Sequence, residues 1–234
     1  MTWLVYPKGL LELGPPPKQG YAAYPSPQNK EGFVLHSMVG SYPSALGRLL
    51  SPDRASWHFS VLKNGHVYQH YDPRAVTWHA GVVGDADSLS AAVGNVALIG
   101  IEHEGGAPGN VSEPLTPAQL DATIDLQRWC YLVLPELKPP ALRSSHFEHG
   151  WISATACPSG RIPWDTIMTR LQEDSMVQLK LVRKDGTPEV YLACGGILVH
   201  VPSEEALTAN GWSQADVEVL PAADAIWNLP RFGK

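Results

Sequence analysis

The chain has 234 residues, of which 44% are hydrophobic and 17% are charged, as in an ordinary folded domain. Its formal net charge is −6, and it contains no run rich in Lys and Arg, which excludes proteins that bind nucleic acid through clustered cations. It also lacks the roughly 18 consecutive apolar residues of a membrane helix and, over residues 1–13, the pattern of a signal peptide. We therefore expect a protein that is made in the cytoplasm without a signal peptide.

The predicted elements begin after a lead-in rich in Pro and Gly over residues 14–30. The apolar run Phe33-Val34-Leu35 predicts a buried strand that delivers His36 at its end. Next come a short helix over residues 44–50 and strands over residues 57–62, 66–70 and 96–104. The first two of these strands are expected to form a hairpin, because Asn64-Gly65 tolerates the positive φ angles of a tight turn.

The clearest helix begins at Thr116, whose hydroxyl can cap it. Pro117 fits the first turn, and Gln119 stands at the third position of a capping box. Apolar residues then recur at helical spacing as far as Leu134, and Pro135 is expected to end the helix. A strand over residues 141–145 and a helix over residues 163–172 follow. The alternation of strands and helices predicts an α/β domain with a mixed central sheet flanked by helices.

The pattern of predicted elements changes after about residue 174. Three short strands are predicted over residues 176–183, 188–193 and 197–201, followed by a short helix over residues 203–210. We therefore predict two domains, a main domain over residues 1–175 and a small β-rich module over residues 176–234.

Three cysteines, Cys130, Cys157 and Cys194, are too few and too widely spaced for a disulfide framework. We interpret Cys130 as part of a helix core, Cys194 as structural and Cys157 as chemical. Nine histidines are present, and a single histidine is more often structural than a metal ligand. A histidine at a strand end together with a distant loop that carries both His and Cys can supply three ligands for zinc and leave a fourth position open for water.

The chain resembles the zinc-dependent N-acetylmuramoyl-L-alanine amidase family over roughly residues 30–173. That family includes phage amidase endolysins, cytosolic muropeptide amidases and animal peptidoglycan-recognition proteins. Each matching piece is weak alone, but all of them occur in the family's order. The pieces are Val34-Leu35-His36-Ser37, Trp57-His58-Phe59 with Asn64-Gly65, Trp78-His79-Ala80-Gly81, Ile99-Gly100-Ile101-Glu102, Thr116-Pro117-Ala118-Gln119 and Thr155-Ala156-Cys157-Pro158.

The resemblance implies a Zn²⁺ cofactor with His36 as its first protein ligand and Cys157 as its last. The second ligand is His149 by the family's usual spacing of eight residues before the Cys. His146, which is eleven residues before Cys157, stays open as an alternative, because some cytosolic members have longer loops.

The resemblance also assigns roles to four further residues. Glu102 is implied as the general base, although a solvated carboxylate at a strand end is the alternative. Thr155 stands where some relatives have Lys, and its hydroxyl could donate a hydrogen bond to the developing oxyanion. Trp57 and His79 are assigned to substrate binding. Trp57 replaces the catalytic Tyr of several relatives, and an indole can donate but cannot shuttle a proton. For His79, the alternative is a loop residue packed on Trp78.

The expected function is hydrolysis of the amide bond between N-acetylmuramic acid and L-alanine in bacterial peptidoglycan by a zinc-activated water. The expected setting is a phage endolysin that is released onto the cell wall at lysis. The alternatives are a non-catalytic peptidoglycan-binding protein, a cytosolic recycling amidase and a zinc hydrolase acting on another amide. Peptidoglycan is the expected partner of a monomer that binds neither nucleic acid nor membrane.

The C-terminal module is expected to help engage the wall. Its exposed aromatic residues would be the contact points, namely Tyr191, Trp212 or Trp227. The alternative is that these side chains fill a small core.

Overall fold

A computed structural model describes residues 3–15, 29–81, 94–106, 110–176, 180–194, 197–209, 213–222, 224, 227 and 231–232. The chain forms two compact units, Met1–Thr169 and Arg170–Lys234. Within the described residues, each unit contains its own β-sheet.

The elements of the first unit alternate between strands and helices. In chain order they are β1 (Leu10–Leu11), β2 (Gly32–Ser37), α1 (Tyr42–Leu50), β3 (Phe59–Val61), β4 (Val67–Gln69), β5 (Leu98–His103), α2 (Pro117–Val133), β6 (His146–Glu148) and α3 (His149–Ile152). Helix α4 (Trp164–Met176) follows and contains the division between the units. None of the helices in the described part of the chain has the length and apolarity that a membrane span requires.

The strands of the first unit form one mixed sheet in the order β1-β4-β3-β5-β2-β6. Strands β3, β5, β2 and β6 run parallel to one another, whereas β4 pairs with β3 in an antiparallel hairpin. The central strands β2 and β5 are buried on both faces, as their continuous apolar runs require. The predicted mixed α/β sheet flanked by helices is confirmed.

Helix α2 begins as its sequence predicts. The Thr116 hydroxyl accepts a hydrogen bond from the Gln119 backbone N–H, and the Gln119 side chain accepts one from the Thr116 N–H. This reciprocal cap satisfies two backbone donors that a helix start leaves unpaired, and such a cap typically adds about 1 kcal/mol of stability. The helix ends at Val133, two residues before Pro135.

The strand predicted over residues 141–145 is wrong by several residues. The chain turns there, with Arg143 at a φ of +60°, and β6 starts only at His146. The Ser145 hydroxyl accepts a hydrogen bond from the Ala141 N–H and donates to the Pro139 carbonyl oxygen. These side-chain bonds hold the turn, and the strand begins five residues later than predicted.

The second unit contains the three predicted strands, β7 (Lys180–Lys184), β8 (Val190–Cys194) and β9 (Ile197–Val201), and the predicted helix α5 (Glu204–Ala209). Two strands that the sequence did not indicate, β10 (Val217–Leu220) and β11 (Arg231–Phe232), lie at the edges of the sheet β10-β7-β8-β9-β11. The described part of this unit is therefore β-rich, as predicted.

The aromatic residues expected on the surface of the C-terminal module fill its core instead. Tyr191 is 3% exposed and Trp227 is 7% exposed, and both pack with Val182 and Leu198. The hypothesis that Tyr191 and Trp227 are exposed contact points is therefore wrong, because burial of these large apolar side chains stabilises the small unit. Trp212 lies outside the described residues.

Two histidines of the first unit are held neutral inside the protein. The His70 ring contacts the Ser60 hydroxyl at 2.9 Å and the Glu12 carbonyl oxygen at 2.6 Å. The His146 ring contacts the Gln127 side-chain oxygen at 2.7 Å. Burial lowers the pKa of His70 to about 4 and that of His146 to about 3.

We predict that these two histidines make the protein sensitive to mild acid. Their pKa values are lower in the folded state than in the unfolded chain. Below about pH 6.5 these two histidines therefore bind protons in the unfolded state but not in the folded state. The contribution of these two histidines to stability should be complete above this pH and should fall as the pH drops towards 4, by up to about 1.4 kcal/mol per pH unit for each histidine. Urea denaturation at pH 7, 6 and 5 measures the slope.

The matched variants for this prediction are His146→Gln and His66→Gln. Glutamine keeps a donor near Gln127 but cannot be protonated, so His146→Gln should reduce the slope by about one proton. His66 is exposed, and its replacement should leave the slope unchanged. Equal slopes in the wild type and His146→Gln would contradict the assignment.

Candidate active site

The site lies at the carboxyl ends of three neighbouring parallel strands. In the register of β2 against β5, His36 is opposite Glu102. In the register of β2 against β6, Leu35 is opposite Glu148, so that His149 follows directly at the end of β6. Carboxyl ends of parallel strands meet at one edge of a sheet, which is where ligands bind in open α/β folds.

Three potential metal ligands converge at this edge. One ligand atom from each of His36, His149 and Cys157 lies within 4.8 Å of the others. Among the described residues, these three form the one cluster of His, Cys, Asp or Glu side chains that could hold a metal ion. The His36 Nδ1 atom is 3.9 Å from the Cys157 sulfur. Ligand atoms around a tetrahedral zinc ion are about 3.3–3.6 Å apart, given its usual bond lengths. A movement of about 1 Å or less would bring the three atoms to that spacing.

A closed loop brings His149 and Cys157 together. The Gly150 N–H donates to the Cys157 carbonyl oxygen at 2.7 Å, which joins the two ends of the loop. A Cβ atom at Gly150 would lie only 2.7 Å from the Thr155 carbonyl oxygen, so a residue without a side chain is needed there. The Ser37 N–H points at the Cys157 sulfur at 3.3 Å and ties this loop to the end of β2.

His146 has a different environment from His149. Its Nε2 atom contacts the Gln127 side-chain oxygen, its Nδ1 atom contacts the Ser145 hydroxyl at 3.0 Å, and its ring packs against Phe33. Both ring nitrogens are thus engaged inside the protein. Of the two histidines considered for the second ligand, the structure brings His149 to His36 and Cys157.

Glu102 is beside the three ligands. One carboxylate oxygen is 3.9 Å from His36 Nδ1, and the other is buried without a hydrogen-bond partner among the described residues. The side chain is only 18% exposed, and burial raises its pKa to about 8, although the charges of Arg161 and Arg48 act in the opposite direction. Such a carboxyl group can both accept and release a proton near neutral pH.

Trp57 and His79 both line the cavity over the site, but their polar atoms are used internally. The Trp57 indole N–H donates to the Ser60 hydroxyl at 2.8 Å. His79 is 7% exposed, and its two ring nitrogens contact His36 and the Leu98 carbonyl oxygen. Their ring surfaces are what remain for contact with a substrate.

Thr155 is exposed on the loop before Cys157, and it lies outside the set of described residues that line the cavity. Its hydroxyl accepts a hydrogen bond from the Cys157 N–H at 3.2 Å. In this structure it therefore holds the loop, and its role towards an oxyanion stays a prediction.

Arg161 is a residue that the sequence did not single out. Its guanidinium is 2% exposed and donates to the Ser37 hydroxyl at 2.7 Å and to the Glu104 carbonyl oxygen at 2.9 Å. It thus joins the ends of β2 and β5 and places a fixed positive charge near Glu102 and Cys157. The sequence does not indicate this role for Arg161, because a single Arg three residues after Pro158 forms no recognisable motif.

The cavity over these groups has a volume of about 780 Å³. Its walls include five of the side chains described above together with three others, namely His36, Trp57, His79, Glu102 and His149 with Trp78, Arg48 and Asp53. A volume of this order is in the range of sites that enclose a small ligand, about 300–1,000 Å³.

The donor set suits zinc. Imidazole and thiolate are ligands that zinc prefers, whereas magnesium and calcium prefer oxygen. Burial and the nearby Glu102 raise the pKa of the Cys157 thiol to about 12. The Ser37 N–H and the charge of Arg161 act in the opposite direction, and a bound cation would lower this pKa further, so metal binding should release the Cys157 proton.

Residues 26–160 match the family model described as N-acetylmuramoyl-L-alanine amidase. Among solved structures, a selenomethionine derivative of AmpD is 17% identical, with a TM-score of 0.54 over 73% of this chain and 99% of AmpD. PlyL is 14% identical, with a TM-score of 0.51 over 70% of this chain and 96% of PlyL. The amidase LysC from Clostridium intestinale URNW is 20% identical, with a TM-score of 0.49 over 71% and 99% of the two chains. No curated protein sequence matches the chain.

Proposed function

The chain belongs to the N-acetylmuramoyl-L-alanine amidase family, and we propose that it is a zinc enzyme that hydrolyses the bond between the lactyl group of N-acetylmuramic acid and the first L-alanine of peptidoglycan. The observation that carries this proposal is the convergence of His36, His149 and Cys157 beside the unpartnered carboxylate oxygen of Glu102. The family supplies the substrate class, and the side chains supply the chemistry.

His36, His149 and Cys157 would hold the metal beside the cavity that His36 and His149 line. Zinc bound there would supply a Lewis acid that acidifies a water molecule and polarises the amide carbonyl. The protein's part is to keep both imidazoles neutral, which burial does by lowering the pKa values of His36 and His149.

Glu102 would move the protons. It accepts the proton of the attacking water and passes it to the alanine nitrogen, which then leaves as an amine. A pKa near 8 suits a group that must first take up this proton and then give it away. Water exclusion around the carboxyl group produces that value, because charge is poorly solvated there.

Thr155 would assist the developing oxyanion. Its hydroxyl accepts from the Cys157 N–H and can still donate its own proton. A neutral hydroxyl in place of a charged Lys would give a weaker contact. The ring faces of Trp57 and His79 would contact the sugar and peptide in the cavity.

The biological role we propose is that of a phage endolysin that acts on the bacterial cell wall. An amidase followed by a small second unit supports this, because a cytosolic recycling enzyme would not need the extra unit. A non-catalytic peptidoglycan-binding protein is the second reading, and the presence of Cys157 at the third ligand position speaks for an enzyme.

The cleavage product tests the reaction. Incubation with purified peptidoglycan should release new N-terminal alanine and no new reducing sugar ends, and the protein should contain about one equivalent of zinc. Cys157→Ala should lose both the zinc and the activity, because two imidazoles alone bind zinc much more weakly. New reducing ends would contradict the assigned bond.

His66→Ala is the matched control, since His66 is exposed on the hairpin turn. It should keep both zinc and turnover. Full activity in metal-free Cys157→Ala would refute the metal assignment, and a zinc-loaded wild type without turnover would favour the binding protein.

Glu102→Gln tests the base. The variant should bind zinc like the wild type but lose about 10²–10⁴-fold in kcat, because an amide cannot accept the proton. Glu136→Gln, on an exposed turn, should retain wild-type kcat. A rate for Glu102→Gln within a few-fold of wild type would remove Glu102 from the mechanism.

We propose further that residues 176–234 help the protein engage the wall. The support is that the second unit has its own sheet and core, which a separate binding function requires. The isolated module should be retained by purified cell walls in a pull-down, and retention should survive Tyr191→Phe, which keeps the core. Absence of retention would remove the idea.

A further inference from the structure

His36 and His79 form a direct contact between two imidazole rings. The His36 Nε2 atom is 3.1 Å from His79 Nδ1, and the rings are nearly perpendicular, with an interplanar angle of 87°. The other His79 nitrogen, Nε2, is 3.2 Å from the Leu98 carbonyl oxygen. These two contacts form a chain that leads from the Leu98 carbonyl oxygen through His79 to His36, the first of the proposed metal ligands.

The carbonyl oxygen determines where the protons are in this chain. A carbonyl can only accept, so His79 carries its proton on Nε2 and donates it to Leu98. The His79 ring is 7% exposed, and among the described residues its two nitrogens contact His36 and Leu98 and no carboxylate that would stabilise a second proton, so its Nδ1 atom is an acceptor. His36 must therefore carry its proton on Nε2, and its Nδ1 atom presents a lone pair to Cys157 and Glu102.

His79 itself is held tightly. The Asn95 side-chain oxygen accepts hydrogen bonds from the His79 and Ala80 backbone N–H groups at 2.8 and 2.7 Å. The His79 ring lies against Gly100, where a Cβ atom would be only 2.6 Å from the ring. Strand β5 thus has a glycine where the ring needs room.

The buried side chain of Lys30 contacts the same carbonyl oxygen as His79. Its ammonium group donates to the Val96 carbonyl oxygen at 2.7 Å and contacts the Leu98 carbonyl oxygen at 3.3 Å. Leu98 therefore accepts from both Lys30 and His79. Lys30 therefore helps to fix the Leu98 carbonyl group that orients His79.

We propose that His79 is a positioning residue that fixes His36 in the tautomer whose Nδ1 atom is free to bind a metal. This inference rests on the proposed metal site, but the tautomer exists without the metal and can be tested without it. With the opposite tautomer, a proton on His36 Nδ1 would occupy the position that the ion needs. Loss of such an outer partner typically weakens metal binding about 10–100-fold.

Matched substitutions separate this role from simple packing. In His79→Asn the side-chain amide oxygen can take the place of Nδ1 and accept from His36. In His79→Gln the amide reaches the place of Nε2 and contacts Leu98 instead, and His79→Leu makes neither bond. Gly100→Ala displaces the ring without changing His79, and it serves if the His79 variants do not fold.

The experiment is a long-range ¹H–¹⁵N NMR spectrum of the metal-free protein together with a zinc titration. The wild type and His79→Asn should show His36 protonated on Nε2, whereas His79→Gln, His79→Leu and Gly100→Ala should show the other tautomer or a mixture. Zinc affinity should fall about 10–100-fold in those three and by only a few-fold in His79→Asn.

Two results would overturn the inference. One is a metal-free wild type with His36 protonated on Nδ1, and the other is a His79→Leu protein that retains both the wild-type tautomer and the wild-type zinc affinity. A wild type that binds no zinc would refute the proposed function, whereas a tautomer that depends on His79 would still support the positioning role.

Discussion

The register of β2 between β5 and β6 is the constraint on which the site depends. Backbone hydrogen bonds place His36 opposite Glu102 and bring His149 to the same edge of the sheet. A slip of one residue would turn the His36 side chain to the other face of the sheet. The apolar residues of β2 and β5 prevent the slip, because both strands are buried on both faces and the slip would move side chains of different size into each packed position. The hydrophobic core thus fixes the geometry of a polar site.

Exclusion of water has opposite effects on the bases and the acids of this site. It lowers the pKa values of His36 and His79, so that their rings stay neutral, and it raises those of Glu102 and Cys157, so that their protons are retained. All four groups are therefore biased towards their uncharged forms. The divalent cation proposed for the site would reverse the balance for the thiol, which would become a thiolate, and would favour the ionised carboxylate nearby. Burial alone thus accounts for the uncharged resting state of the site, and the charge of the proposed ion would have to offset it.

The sequence predicts the parts of the fold that local chemistry determines. The capped start of α2 and the Asn64-Gly65 hairpin are correct because each depends on residues close in sequence. The strand expected over residues 141–145 is misplaced because a turn held by the Ser145 side chain competes with it. The edge strands β10 and β11 were missed because they are short and gain their stability from pairing across long sequence distances.

The candidate site shows the same contrast between features that depend on local sequence and features that depend on long-range contacts. The residues with recognisable chemistry, His36, Glu102 and Cys157, could be named from the sequence through a family resemblance. The contacts that orient them could not, since the donation of Arg161 to Ser37 joins residues 124 positions apart and the contact of His79 with His36 spans 43. A pattern of residue types shows which atoms are available, but only the packed interior shows where their protons and lone pairs point.

The protein also holds its ligands in place before any ion is bound. The Ser37 N–H contacts the Cys157 sulfur, and the Gly150 N–H closes the loop that separates Cys157 from His149. Much of the ordering cost of a ligand set that is spread over 121 residues is therefore met by the fold itself. An ion that binds this set, and not the unfolded chain, adds RT ln(1 + [L]/Kd) to the free energy of unfolding, about 4 kcal/mol at a free concentration of 1,000 times Kd. The same closed loop and paired strand ends that hold the three proposed ligands together would thus make a bound metal a part of the unit's stability.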